Sequence, residues 1–230
     1  MTEHKIQAVL FDFDGLILDT ETTLYGTWRE TFAAFGQELP LDLWTANVGG
    51  YSYETFHPMD YLEQCLGRPV DREKVNGERR ARYRERVRVQ PPMPGVVEAV
   101  AEARRMGLRL GVASSSERAW VAGHLERLGL LPQFDALVCG DEVARVKPSP
   151  ELYLAALDTL GVGARAAFAL EDSPKGVAAA RAASLYCVAV PNPVTSRMDL
   201  GAAPRRLASL DAVPFGALVR DVEKDLSLAV

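Results

Sequence analysis

Between Gly95 and Val190 the sequence alternates short apolar runs with amphipathic stretches of about ten residues, and this alternation restricts the fold more than any other feature. The spacing predicts helices over Val96–Met106, Glu117–Leu128, Pro150–Leu160 and Pro174–Ala183, the first three closed by Gly107, Gly129 and Gly161. It predicts strands over Leu108–Ala113, Ala136–Cys139, Ala166–Leu170 and Leu185–Val190. Strands that alternate with helices of this length form a parallel sheet with helices on both faces. The apolar run Ile6–Phe11 near the start reads as one more buried strand of the same sheet.

The segment between that first strand and the joint Gln90-Pro91-Pro92-Met93-Pro94-Gly95 has no β-run. Helices are expected over Thr20–Phe35, Leu41–Ala46, Tyr53–Leu66 and Asp71–Val89, the last rich in arginine from Arg79 to Arg88. The fold class is therefore α/β, with a core of residues 1–19 and 90–230 and a helical insert of residues 20–89. In the tail, Leu207–Leu210 and Phe215–Leu226 are expected to be helical.

A net charge of -5 argues against non-specific binding of nucleic acid, while leaving room for a local cationic pocket. The polar stretch Met1–Gln7 does not read as a signal peptide, and no apolar run is long enough to span a bilayer. Cys65, Cys139 and Cys187 are few and far apart, and the last two lie in or beside apolar runs. They read as structural thiols of a reducing compartment, so a cytoplasmic protein is expected. A monomer is expected, with a weak homodimer as the alternative. His4 and His57 have no evident partner in the sequence.

The chemistry sits where the strands end. The first ends in Asp12-Phe13-Asp14-Gly15, and strand alternation sends Asp12 and Asp14 the same way. The second ends in Ser114-Ser115-Ser116; the third is followed by Lys147-Pro148; the fourth ends in Glu171-Asp172-Ser173. In a parallel sheet these tips share one edge. Carboxylate oxygens from several strands suit magnesium. A hydroxyl before a helix, with free backbone N–H groups beside it, suits a phosphate, and a lysine adds positive charge there. Taken singly, each has a plainer reading: Asp-x-Asp-Gly as a solvated turn, Ser114 as a helix cap, Lys147 as a loop residue, and Glu171 and Asp172 as favourable charge at a helix N-terminus.

Taken together, Asp12-Phe13-Asp14-Gly15-Leu16-Ile17-Leu18-Asp19, Ser114, Lys147-Pro148 and Glu171-Asp172-Ser173-Pro174-Lys175-Gly176 resemble the four ordered motifs of the haloacid dehalogenase superfamily. The insert resembles the small helical cap of its β-phosphoglucomutase-like branch. The resemblance implies a Rossmann-like core and a cap closing over its carboxyl edge. It implies Asp12 as a nucleophile that becomes a phospho-aspartate, and Asp14 as general acid and base. Ser114, Ser115 and Lys147 would bind phosphate. Magnesium would be held by Asp12, the Asp14 carbonyl and Asp172, with Glu171 supporting it directly or through water.

The implied function is a phosphatase acting on a small phosphorylated metabolite such as a sugar phosphate. Asp14 stands where a dehalogenase has tyrosine. A phosphosugar mutase is the rival, but Leu24 stands where β-phosphoglucomutase carries a cap histidine. Gly49-Gly50-Tyr51-Ser52-Tyr53 likewise lacks the arginine of that enzyme's cap loop. A non-catalytic binding protein would be expected to have lost a motif carboxylate, and none is missing. Gly49 and Tyr51 are expected substrate contacts, and the aromatic-rich loop Tyr51, Tyr53 and Phe56 reads either as a substrate contact or as cap packing. The arginine run reads either as an anion-binding surface or as a solvated helix face broken by Glu78 and Glu85.

Overall fold

The computed structural model describes residues 5–48 and 56–228. Its elements run β1 (Ala8–Phe11), α1 (Thr20–Ala34), α2 (Leu41–Val48), α3 (Pro58–Leu66), α4 (Arg72–Val89), α5 (Val96–Arg105), β2 (Arg109–Ala113) and α6 (Arg118–Arg127). They continue with β3 (Ala136–Val138), α7 (Glu151–Leu160), β4 (Ala167–Glu171), α8 (Pro174–Ala182), β5 (Tyr186–Ala189), β6 (Arg205–Arg206) and α9 (Phe215–Leu228).

The six strands form one sheet in the order β3-β2-β1-β4-β5-β6, and every pairing is parallel. This is the Rossmann-like order, with its switch point between β1 and β4. The strands are apolar throughout because both faces are covered. Val9, Phe11, Phe168 and Leu170 point into a cluster with residues of α5, α6 and α9, among them Val100, Leu125 and Phe215. Their neighbours Ala8, Leu10, Ala167 and Ala169 point the other way, into a cluster with Leu152 and Ala156 of α7 and Val177 and Ala180 of α8. A one-residue slip would exchange the two sets, so the register Phe11↔Val112 and Phe11↔Leu170 is fixed by packing.

Helices α1 to α4 build a third cluster on Trp28, Phe32, Trp44, Met59 and Leu62, which Val194 from the segment after β5 joins. Phe56 joins it and lies 5.9 Å from Tyr61, so of its two expected roles it takes packing. Asp19 caps α1 by accepting from the Thr22 N–H at 3.0 Å, and Asp71 caps α4 by accepting from Lys74 N–H at 3.1 Å.

Three expectations need correction. Helix α3 begins at Pro58 rather than Tyr53, because proline fits the first helical turn and His57 caps it, its Nδ1 accepting from the Met59 N–H at 3.2 Å. That gives His57 the partner the sequence did not reveal; residues 53–55, and His4, lie outside the described residues. Leu207–Leu210 is not helical. Arg205 and Arg206 instead add a sixth strand beside β5, and Leu207 N–H continues the ladder to the Ala189 carbonyl at 2.8 Å. The open edge of β5 offered those backbone groups partners that a four-residue helix could not. Cys139 and Cys187 are buried thiols, but Cys65 is exposed. Among the described residues no helix is long and apolar enough to cross a membrane.

Phe168, fully buried in β4 and 6.3 Å from Phe215, tests the first core cluster. Phe168→Ala should lower unfolding stability by about 3–5 kcal/mol, read as a lower urea midpoint at unchanged slope.

Candidate active site

At the carboxyl edge of the sheet, β1 delivers Asp12 and β4 delivers Glu171 and Asp172, all buried. Lys147, also buried, donates to Asp12 Oδ1 at 2.5 Å and to Glu171 Oε1 at 2.6 Å. Tyr153 OH of α7 donates to the same Glu171 oxygen at 2.7 Å. Glu171 Oε2 accepts the backbone N–H of Asp172 at 3.1 Å. Asn192 Nδ2 donates to Asp172 Oδ2 at 2.8 Å and to the Gly15 carbonyl at 3.2 Å.

Two glycines make room for this packing. Gly15 turns the chain out of β1 at φ +83°, and a Cβ there would collide with the Asp172 carboxylate. A Cβ on Gly176 would collide with the Glu171 carboxylate.

Asp14 lies further out. Its Oδ2 accepts from Ser116 Oγ at 2.6 Å and its Oδ1 accepts from Trp120 Nε1 at 3.1 Å. Ser114 is buried at the end of β2, and its Oγ accepts the Ser116 N–H at 3.1 Å; Ser115 is exposed. A cleft of about 590 Å³ is lined by Asp12, Asp14, Ser114, Ser115, Lys147 and Asp172. Opposite them stand Arg79, Arg80, Tyr83 and Arg84 of α4, with Glu21 and Leu24 of α1. The sheet-edge residues expected from sequence thus converge on one cavity, with Glu171 directly behind it. Gly49, Tyr51 and Tyr53 lie outside the described residues.

The electrostatics follow from three buried carboxylates facing one ammonium. Burial above all pushes Asp12 up to about 7; Glu171 and Asp14 add to this and Lys147 opposes it. Burial and the charges of Asp12 and Glu171 hold Asp172 well above the usual carboxylate range. Burial alone would lower Lys147, but its pairing with Asp12 and Glu171 wins and holds it above the ordinary lysine value. Burial, then Asp14 and Asp12, push Glu21 up to about 8. An oxygen from each of Asp12, Glu171 and Asp172 lies within 4.8 Å of the others, close enough for all three to serve one cation. An uncompensated negative excess, all oxygen donors, fits a hard divalent ion.

A family model described as haloacid dehalogenase-like hydrolase matches residues 6–184. The chain belongs to the haloacid dehalogenase-like hydrolases. A Bacillus subtilis protein named "Putative phosphatase YhcW" is 40% identical over 214 residues, covering 93% of this chain and 96% of its own length. The phosphorylated carbohydrates phosphatase of Thermotoga maritima is 31% identical over 181 residues, 78% of this chain and 82% of its own. Among solved structures, a variant of CbbY from Rhodobacter sphaeroides in complex with xylulose-1,5-bisphosphate superposes with a TM-score of 0.66 at 28% identity. It covers 89% of this chain and 95% of that one.

For a haloacid dehalogenase-like hydrolase the sequence reading missed several supporting side chains: Tyr153, Asn192, Ser116 and Trp120. Ser116 was visible as the third serine after β2; the other three carried no signal. The arginine run divides. Arg86 pairs with Glu30 at 2.8 Å, and Arg82 donates to Thr31 Oγ1 at 3.0 Å. Arg79 is buried with its guanidinium 4.5 Å from the Trp28 ring centroid. Arg80 and Arg84, one turn apart, are exposed on the cleft side.

The raised carboxyls set a pH dependence. Asp12 binds its proton more tightly folded, at about 7, than at its ordinary value of 3.8, so its contribution to stability falls as pH rises between those values. Glu21, raised from 4.5 to about 8, acts in the same direction. In chelator the urea midpoint should fall from about pH 5 to about pH 8, and a divalent cation should restore most at the upper end. A midpoint flat across that window would contradict the buried excess of carboxylate.

Proposed function

We propose that this protein is a magnesium-dependent phosphatase that hydrolyses a small phosphorylated metabolite, such as a sugar phosphate, through a phospho-Asp12 intermediate. One observation carries the reading: Asp12 meets Lys147, Ser114 and Asp172, drawn from distant points of the chain, in a single cleft. Residues 1–19 and 90–230 form the catalytic core in this reading, and residues 20–89 the cap. The names of the phosphatase relatives support the reaction class.

Ser114, Ser115 and Lys147 bind the phosphoryl oxygens. An oxygen of Asp12 attacks phosphorus while the bond to the leaving oxygen breaks, and Asp14 gives that oxygen its proton. Asp14 then takes a proton from water as the water attacks phospho-Asp12, releasing phosphate, returning Asp12 to its carboxylate and giving Asp14 back the proton it had lost. Asp12, the Asp14 carbonyl and Asp172 would hold magnesium, with Glu171 behind them acting through water, since its oxygens already accept from Lys147, Tyr153 and Asp172 N–H. Bound magnesium would offset the repulsion between the Asp12 carboxylate and the incoming phosphate.

Leu24 is buried and lines the cleft, where the mutase would need an imidazole; this favours water as the final acceptor. Exposed Arg80 and Arg84 suit the polar body of such a substrate. The protein acts as a monomer in this reading. Its setting is the cytoplasm, where Cys139 and Cys187 remain thiols.

A panel of phosphorylated sugars should release inorganic phosphate in magnesium and none in chelator. Asp12→Asn should abolish release, and Asp14→Asn should lower it by about 10²–10⁴-fold. Isomerised sugar phosphate in place of free phosphate would move the assignment to a mutase. Near-normal turnover by Asp12→Asn would remove the nucleophile.

A further inference from the structure

Proton transfer by Asp14 requires that its carboxyl be aimed, and the two donors that hold it are chemically unlike. Ser116 Oγ, 2.6 Å from Oδ2, can rotate and either give or accept a hydrogen bond. The indole Nε1–H of Trp120, 3.1 Å from Oδ1, can only give one. An oxygen facing an obligate donor cannot carry a proton of its own in that direction. The two donors, one on each oxygen, therefore fix the direction in which the Asp14 carboxyl faces.

Trp120 is itself held from the other side of the cleft. Its ring lies nearly parallel to that of Tyr83 on α4, with centroids 5.9 Å apart and planes at 11°. It meets His124 edge-on at 4.3 Å, and His124 stacks on Phe13, the residue between Asp12 and Asp14, at 6.2 Å. Tyr83 and Trp120 are both half-buried and both line the cleft. A continuous aromatic contact thus runs from α4 to the segment that bears both aspartates.

We propose that Trp120 is a positioning residue that orients Asp14 for proton transfer, and that Tyr83 makes this orientation depend on α4 being seated over the sheet edge. The proposal rests on Asp14 being the acid and base of a phosphatase.

The test varies the leaving group at constant size, using substituted phenyl phosphates from p-nitrophenyl to p-methylphenyl. A p-nitrophenolate departs without a proton, whereas p-methylphenolate needs one, and kcat/KM reports the steps up to that departure. Trp120→Phe keeps the ring and removes the N–H. It should lose about tenfold more kcat/KM on p-methylphenyl than on p-nitrophenyl phosphate. Tyr83→Leu should show a smaller loss of the same kind, and Tyr83→Phe, which keeps the stack, should restore it.

Equal losses across the series for Trp120→Phe would reduce its role to packing and overturn the proposal. Should that variant fail to fold, Tyr83→Leu against Tyr83→Phe decides by the same comparison. Asp14→Asn separates the two levels. If it loses most on p-methylphenyl phosphate while Trp120→Phe does not, the positioning proposal fails and the phosphatase reading stands. An even loss for Asp14→Asn would end Asp14's assignment as the acid, and this proposal with it.

Discussion

The ion pairs of Lys147 with Asp12 and Glu171 are the constraint around which the rest is arranged. One ammonium serves two carboxylates, and Asp172 stands beside them accepting from the amide of Asn192. Burying such a group costs several kcal/mol per unpaired ion, roughly as much as a large side chain gains in the core. A chain selected for stability alone would fill this volume with hydrophobic residues. Its retention of acid here, solvated by fixed donors from α7 and from the loops after β4 and β5, makes sense for a site that must present charge to a ligand.

The sheet order explains why that charge can be concentrated. Chain leaving β1 and chain leaving β4 depart on opposite sides of the switch point, opening a crevice at their tips. Asp12 and Asp14 come from the tip of β1, and Glu171 and Asp172 from the tip of β4. The segment leaving β1 does not return directly to the sheet. It builds α1 to α4 first, so the cleft acquires a second wall that carries Tyr83, Arg80 and Arg84. One wall is preorganised by the core, whereas the other is fixed by the separate cluster around Trp28 and Phe32. The sheet-edge carboxylates and the α4 side chains that share their cleft thereby rest on different packing clusters.

Much of this was legible in the sequence because the signals were periodic or positional. Apolar runs ending in Asp12, Ser114, and Glu171 with Asp172 announce buried strands with polar tips, and parallel topology brings those tips together without further information. The order of the strands was not written in any local pattern. Trp120 reads as one more apolar residue of an amphipathic helix, and only coordinates show its N–H reaching Asp14. Tyr153 sits among Leu152, Ala156 and Leu157 and looks like core, which it also is, apart from one hydroxyl. Asn192 lies in a proline-flanked loop where asparagine is ordinary. The two-residue strand at Arg205 is shorter than any period that could reveal it. His57 became legible only as the residue before Pro58, a cap defined by backbone geometry.

The central strand of the sheet is the first to be made, and both of its neighbours come from far downstream. Phe11 pairs with Val112 on one side and with Leu170 on the other. A ribosome that has finished α1 to α4 has supplied Asp12 and Asp14 without Ser114, Lys147, Glu171 or Asp172. Chains ending before Asp172 therefore lack one side of the buried acidic cluster. The buried cluster of acids and lysine comes into being only when most of the polypeptide is available to fold.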